Sequence, residues 1–161
     1  MRSRVLEWTD PSETLAAATR LSGLDYLRGL QSGEIPPPPM AAVANLEILE
    51  IERGRAVFAG TPGEEHYNPH GTVHGGWMSA LVDTALGCAV HSVLDAGVIY
   101  TTLDLHVNFI RPVTRETGRL TCEGVVLHAG SRICTAEAKV RDADGRLCAH
   151  GTCTCLVMAR R

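Results

Sequence analysis

The sequence predicts an α+β fold: one curved antiparallel sheet wrapped around a single central helix, preceded by a helical arm. Three observations carry that prediction. Residues 76–94 form one long helical stretch that is apolar on nearly every face, and such a helix must be enclosed by other structure. Six strand-like segments flank it, two before and four after, enough for one sheet. Gly130 and Asp144-Gly145 stand between the last three segments, where antiparallel hairpins need tight turns. The chain has 161 residues, one domain's worth with a short extension.

The extension is residues 1–40. Asp10-Pro11 precedes an approximate helical stripe of Leu15, Ala18, Leu21, Leu24, Leu27 and Leu30. Asp10 or Ser12 suits the cap, Pro11 suits the first turn, and Ser22-Gly23 is a candidate break. Gly33 and the prolines 36–39 end the arm, and four prolines in a row predict a stiff extended linker with no structure of its own. The main domain, residues 41–161, opens with strands at 45–52 and 55–60 about a turn at Arg53-Gly54. Residues 61–76 are a polar loop rich in Gly, Pro and His, followed by the central helix. A strand at 98–113 closes at Pro112, and strands at 118–130, 131–145 and 146–158 complete the sheet. This order describes the hotdog architecture.

Composition excludes several classes of function. Apolar residues are 45% and charged residues 20% of the chain, which suits a globular protein. A net charge of -3 leaves no basic footprint for nucleic acid. The most apolar stretch is interrupted by Ser79, Asp83, Thr84, His91 and Ser92, so no membrane span is expected. The N-terminus carries two Arg but no apolar core of a secretory signal, so a cytoplasmic location is expected. The six Cys form no CxxC pair and read as reduced core residues.

The chemistry is expected between Asn68 and Asp83. Asp83 is the only acidic or basic residue between Trp77 and Val90. A carboxylate in such a helix is costly unless compensated. It is either a paired structural residue or a catalytic base or nucleophile. Gly76, Ser79, Ala80, Asp83, Gly87 and Val90 share one helical face of mostly small residues. Gly75-Gly76 opens the helix, where free backbone N–H groups and the dipole can hold an oxyanion. In the following strand, period-two alternation puts Thr101, Leu103, Leu105, Val107 and Phe109 against the helix, with Thr102 facing outward. His66, His70 and His74 recur every fourth residue, but Pro69 and Gly71 prevent a shared helical face, so no metal site is expected.

Asn68-x5-His74-Gly75-Gly76-x6-Asp83 resembles the hotdog-fold acyl-CoA thioesterases. It is most similar to the phenylacetate-degradation (PaaI-like) type, relatives of one class of 4-hydroxybenzoyl-CoA thioesterase. The resemblance covers about residues 44–158, with NFIRPV at 108–113 in its usual place. It implies hydrolysis of an acyl-CoA to a carboxylic acid and CoA, with no cofactor beyond the CoA of the substrate. It also implies a homodimer or homotetramer with the site at the subunit interface. By this resemblance Gly75 N–H polarises the carbonyl, and Asn68 and His74 shape the pocket. Asp83 of the facing subunit activates water or attacks, and Thr101 holds the water or the carboxylate. Gly76 and Trp77 adjoin the substrate, with Trp77 a residue of either the acyl pocket or the core. Arg111, Arg115 and Arg132 are candidates for the CoA phosphates, with Ser131 in the turn that meets the nucleotide. A non-catalytic acyl-CoA-binding module and a dehydratase on the same fold compete with this reading. Asp83 with Asn68 and Gly75 favours hydrolysis.

Overall fold

The computed structural model describes residues 1–159. Helix α1 (Pro11–Arg20) starts as its sequence predicts: the Asp10 carboxylate accepts the Ser12 N–H at 2.9 Å and Pro11 takes the first turn. The arm breaks at Ser22-Gly23, where α2 (Gly23–Ser32) begins. Ser22 Oγ caps it by accepting the Asp25 N–H at 3.2 Å. Gly33, at φ +81°, ends it in the left-handed region.

The prolines differ from expectation. Residues 36–38 are extended, but Pro39 opens a further short helix, α3 (Pro39–Ala44). The fixed φ of proline suits the first helical position, where no N–H is needed. The boundary expected at residue 40 therefore falls inside α3.

The sheet is β1 (Leu46–Glu52), β2 (Arg55–Gly60), β3 (Val98–Phe109), β4 (Leu120–Ala129), β5 (Ile133–Arg141) and β6 (Leu147–Ala159). Its spatial order is β1-β2-β4-β5-β6-β3, antiparallel throughout, so β1 and β3 are the edges. The third strand stops at Phe109, short of Pro112, because the N–H groups of Ile110 and Arg111 both turn to one carbonyl, that of Cys148.

Helix α4 (Gly75–His91) lies in the concavity of the sheet. It buries Trp77, Met78, Leu81, Val82, Leu86 and Val90, each contributing roughly 1.5–3 kcal/mol. The helix comes so close to β4 that a Cβ at Gly124 would lie 2.5 Å from the Ala85 carbonyl oxygen. The helix ends at His91 rather than 94, its last turn tightened by Ser92 Oγ, which donates to the Ala89 carbonyl at 2.7 Å. Five Cys are buried and Cys88 is partly exposed; all six thiols are free. Among the described residues no helix is long and apolar enough to cross a membrane.

Candidate active site

Asp83 sits at the midpoint of α4, on the face that the protein's own sheet leaves open. It is half-buried, in the wall of a shallow depression of about 440 Å³ shared with Gly76, Ser79, Ala80 and the β3 residues Thr102 and Leu103. The expected stripe of small residues is open only in its first half. Beyond Asp83 the Tyr100 ring crosses the helix at Gly87, where an added Cβ would meet the phenol oxygen at 2.4 Å. Burial, reinforced by Cys88 nearby, pushes the Tyr100 phenol well above its usual range, so it faces the carboxylate helix as a neutral group.

The partner of Asp83 is Thr102, not Thr101. Thr102 Oγ1 donates to Asp83 Oδ1 at 3.0 Å, while Thr101 is exposed. The register of β3 against β6 slips between Thr102 and Asp104, so Leu103 is an extra residue. That bulge reverses which side chains face the helix. Up to residue 102 the even positions point inward; from Leu105 the odd ones do. Strict alternation therefore holds for Leu105 and Val107 and fails for Thr101 and Leu103, while Phe109 stays on the helix side, beside Gly75, though half exposed.

At the start of α4 the three residues of the His-Gly-Gly segment have separate places. His74 is the N-cap: its Nδ1 accepts the Gly76 N–H at 2.8 Å, which puts the ring proton of neutral His74 on Nε2. Gly76 lines the Asp83 depression, but its N–H is committed to that cap. The Gly75 N–H, at the first helical position, has no carbonyl four residues back to bond. Gly75 itself lines a second depression, of about 360 Å³, shared with Asn68, Thr72, Phe109 and Arg111. A side chain on residue 75 would crowd Phe109, whose ring carbon would lie 3.1 Å from a Cβ.

Asn68 shapes this second depression through its own loop. Its Oδ1 accepts the N–H groups of His70 (2.8 Å) and Thr72 (3.4 Å), and its Nδ2 donates to Thr72 Oγ1 at 2.9 Å. Trp77 belongs to the core instead. Its ring is buried against His66 and Gly60, and its Nε1 donates to the Ala44 carbonyl at 2.8 Å. Indole N–H groups seek such a partner when buried, and the carbonyl at the end of α3 supplies it.

Arg111 lies beside Gly75, whereas Ser131 and Arg132 lie at the far end of the sheet. Ile110 and Arg111 bond Cys148, while Val157 N–H bonds the Arg132 carbonyl. Those anchors lie nine positions apart along β6, about 30 Å. Among the described residues no group of three His, Cys, Asp or Glu side chains could hold a metal ion. His66 and His74 each spend Nδ1 on a backbone N–H, of Gly63 and Gly76 respectively.

Residues 70–149 match the thioesterase superfamily. An archaeal protein of Saccharolobus solfataricus, named as a candidate esterase, is 35% identical over 103 residues, 64% of this chain and 71% of that one. This chain belongs to the thioesterase superfamily. A 1,4-dihydroxy-2-naphthoyl-CoA hydrolase of Listeria monocytogenes is 25% identical over 116 residues, 72% of this chain and 93% of that one. A crystal structure from Ralstonia eutropha, described as a candidate thioesterase related to phenylacetic acid degradation, has TM-score 0.75 and 27% identity. It covers 81% of this chain and 98% of that one. The superfamily member described here is thus a thioester hydrolase on the hotdog fold. Its reaction needs an oxyanion donor and a group that delivers water or attacks; the Gly75 N–H and the Asp83 carboxylate are of those two kinds.

Proposed function

We propose that this thioesterase hydrolyses acyl-CoA to a carboxylic acid and CoA at a site assembled from two copies of the chain. The observation that carries this is the separation of the two chemical groups along α4. Gly75 and Asp83 are eight residues apart, about 12 Å along the axis and roughly 80° around it, and they line different depressions. A carbonyl carbon must lie about 3 Å from both the donor and the attacking group. One protomer cannot meet that condition, but two related by a two-fold axis can.

The edge strand β3 supports the pairing. Its outer edge is unpaired in the single chain, and Leu103, Phe109 and Ile110 are more than half exposed. Leu103 adjoins Asp83, and Phe109 and Ile110 adjoin Gly75. An apolar edge strand of this kind invites another chain. A second copy added along β3 covers these residues and carries its Gly75 toward Asp83.

In this site the Gly75 N–H and the helix dipole stabilise the oxyanion. Asp83, with Oδ1 held by Thr102, either deprotonates a water that attacks the carbonyl, or attacks it with Oδ2 to give a mixed anhydride that water then cleaves, regenerating the carboxylate. CoA leaves as the thiolate. Arg111 beside Gly75 binds phosphate, and Arg132 with Ser131 joins the same CoA only from the partner.

The test uses two variants, each removing one half of the site. Asp83→Ala loses the carboxylate. Gly75→Pro removes the N–H and keeps the backbone, since proline suits the first helical position and His74 already has the extended ψ of 135° that precedes a proline; its ring asks only the exposed Phe109 side chain to move aside. Each variant alone is expected to release thiol from acyl-CoA at least ~100-fold more slowly than wild type. Co-refolded together, they regain activity, because mixed dimers hold one intact site. No recovery from correctly assembled mixed dimers places both groups in one subunit and overturns the shared site.

A further inference from the structure

The N-terminal arm encloses a cavity of about 380 Å³ against the hotdog domain, within the size range of small-molecule pockets. Leu30, Pro38 and Met40 of the arm form one wall, Ile48 and Phe58 of the sheet another, and Thr84 and Cys88 of α4 the third. Three polar side chains also border it, and each is already occupied. Gln31 Nε2 donates to the Leu49 carbonyl at 2.7 Å, Thr84 Oγ1 to the Ala80 carbonyl at 2.7 Å, and Glu47 pairs with Arg119. What they leave toward the cavity is mostly hydrocarbon.

One wall of the cavity starts at the residue of α4 that follows Asp83, although the cavity and the Asp83 depression share no lining residue. Thr84 follows Asp83 directly, about 100° around the helix, and Cys88 lies about 7.5 Å further along it. Burial, with a smaller contribution from the Asp83 charge, pushes the Cys88 thiol up to about 12, so it lines the cavity as a neutral, weakly polar group. The arm wall is anchored, not draped. Gly23 N–H donates to the Leu94 carbonyl at 3.0 Å, and the Trp77 indole holds the end of α3. Arg4 donates to the Ala42 carbonyl at 2.7 Å.

We propose that this cavity receives the acyl tail, and that the arm selects a medium-length aliphatic group. The proposal rests on the thioesterase reading above and adds the substrate class. A carbonyl at the Asp83 edge sends its tail around α4 into the space between Thr84 and Leu30. A tail bearing hydroxyl groups would bury them against partners already bonded elsewhere, and a much longer chain would outgrow the cavity.

The experiment compares acetyl-, octanoyl-, palmitoyl- and 4-hydroxybenzoyl-CoA with the full-length protein, and measures octanoate binding by calorimetry. Wild type is expected to favour octanoyl-CoA in kcat/KM. Leu30→Trp narrows the cavity, and Met40→Trp does so at its half-exposed rim, where misfolding is not a concern. Each should lower the octanoyl-to-acetyl ratio of kcat/KM about tenfold or more and weaken octanoate binding. Leu30→Ala should move the preference toward palmitoyl-CoA. An unchanged chain-length profile with unchanged octanoate affinity in both Trp variants overturns the proposal, as does a wild-type preference for 4-hydroxybenzoyl-CoA. Should wild type hydrolyse no thioester, the enzymatic reading fails while the cavity is still decided: octanoate bound by wild type and lost in the variants supports it, and no octanoate binding refutes it.

Discussion

Thr101 and Thr102 are neighbours in sequence and opposites in position. Only Thr102 reaches Asp83, with its Oγ1 3.0 Å from Oδ1. A hydrogen bond to a charged group contributes about 1.5–3 kcal/mol, and this one also orients the carboxylate. Thr102→Val keeps the shape and removes the donor. It should lower kcat roughly tenfold or more, while Thr101→Val should leave kcat near wild type because its side chain points to solvent. Steady-state thiol release from both variants checks this; equal losses would mean that the β3 bulge is misplaced. The glycine pair divides in the same way. The His74 imidazole consumes one N–H and leaves the other as the donor, a distinction that two adjacent glycines cannot reveal as letters.

Helix α4 reads as a buried apolar rod, but close backbone approaches determine where it lies. Gly124 lets β4 press on the Ala85 carbonyl, and Gly87 lets Tyr100 cross the helix one turn beyond Asp83. Gly87→Ala would gain helix propensity in isolation, by up to about 1 kcal/mol. In the protein its Cβ would stand 2.4 Å from the Tyr100 oxygen, an overpacking that costs about 1–3 kcal/mol. Chemical denaturation should show a net loss of stability when Gly87→Ala is made in wild type, and none when it is made in Tyr100→Ala, each compared with its own parent. An equal loss in both backgrounds would place the clash elsewhere.

At the scale of the whole molecule, a cluster of tilted aromatic rings at the far end of α4 joins the arm to the domain. His91 lies between Tyr26 of the arm and Tyr100 of β3, with ring centroids 5.3 and 5.6 Å away. Burial holds its imidazole below the usual 6.5. The flanking phenols stay neutral, burial and then Cys88 pushing Tyr26 up to about 12 and Tyr100 well above its usual range. Unfolded His91 takes up its proton near 6.5, whereas folded His91 resists until lower pH. Its stabilisation is therefore complete above pH 6.5 and is lost as pH falls from there toward the folded value. Thermal melts between pH 8 and 5 should show a steeper acid-side fall in Tm for wild type than for His91→Gln. Parallel curves would mean that burial does not hold the His91 imidazole below its usual value.

The sequence by itself determined the architecture, because each step rested on neighbours along the chain. An all-round apolar helix demands enclosure, Gly130 and Asp144-Gly145 demand hairpins, and Pro11 and Asp10 start a helix wherever they are put. It also marked out the His-Gly-Gly segment and the one acidic residue of α4, since a carboxylate among apolar neighbours stands out in any one-dimensional reading. Only the tertiary structure decided which threonine meets Asp83, since a single extra residue, Leu103, pairs with nothing across the ladder and inverts the faces beyond it. Long-range contacts likewise turned Trp77 into core, through the Ala44 carbonyl. They folded the arm over a cavity whose walls lie up to 58 positions apart, from Leu30 to Cys88. Alternation and propensity are properties of adjacent residues, whereas bulges, caps and cavities depend on which distant surfaces finally touch.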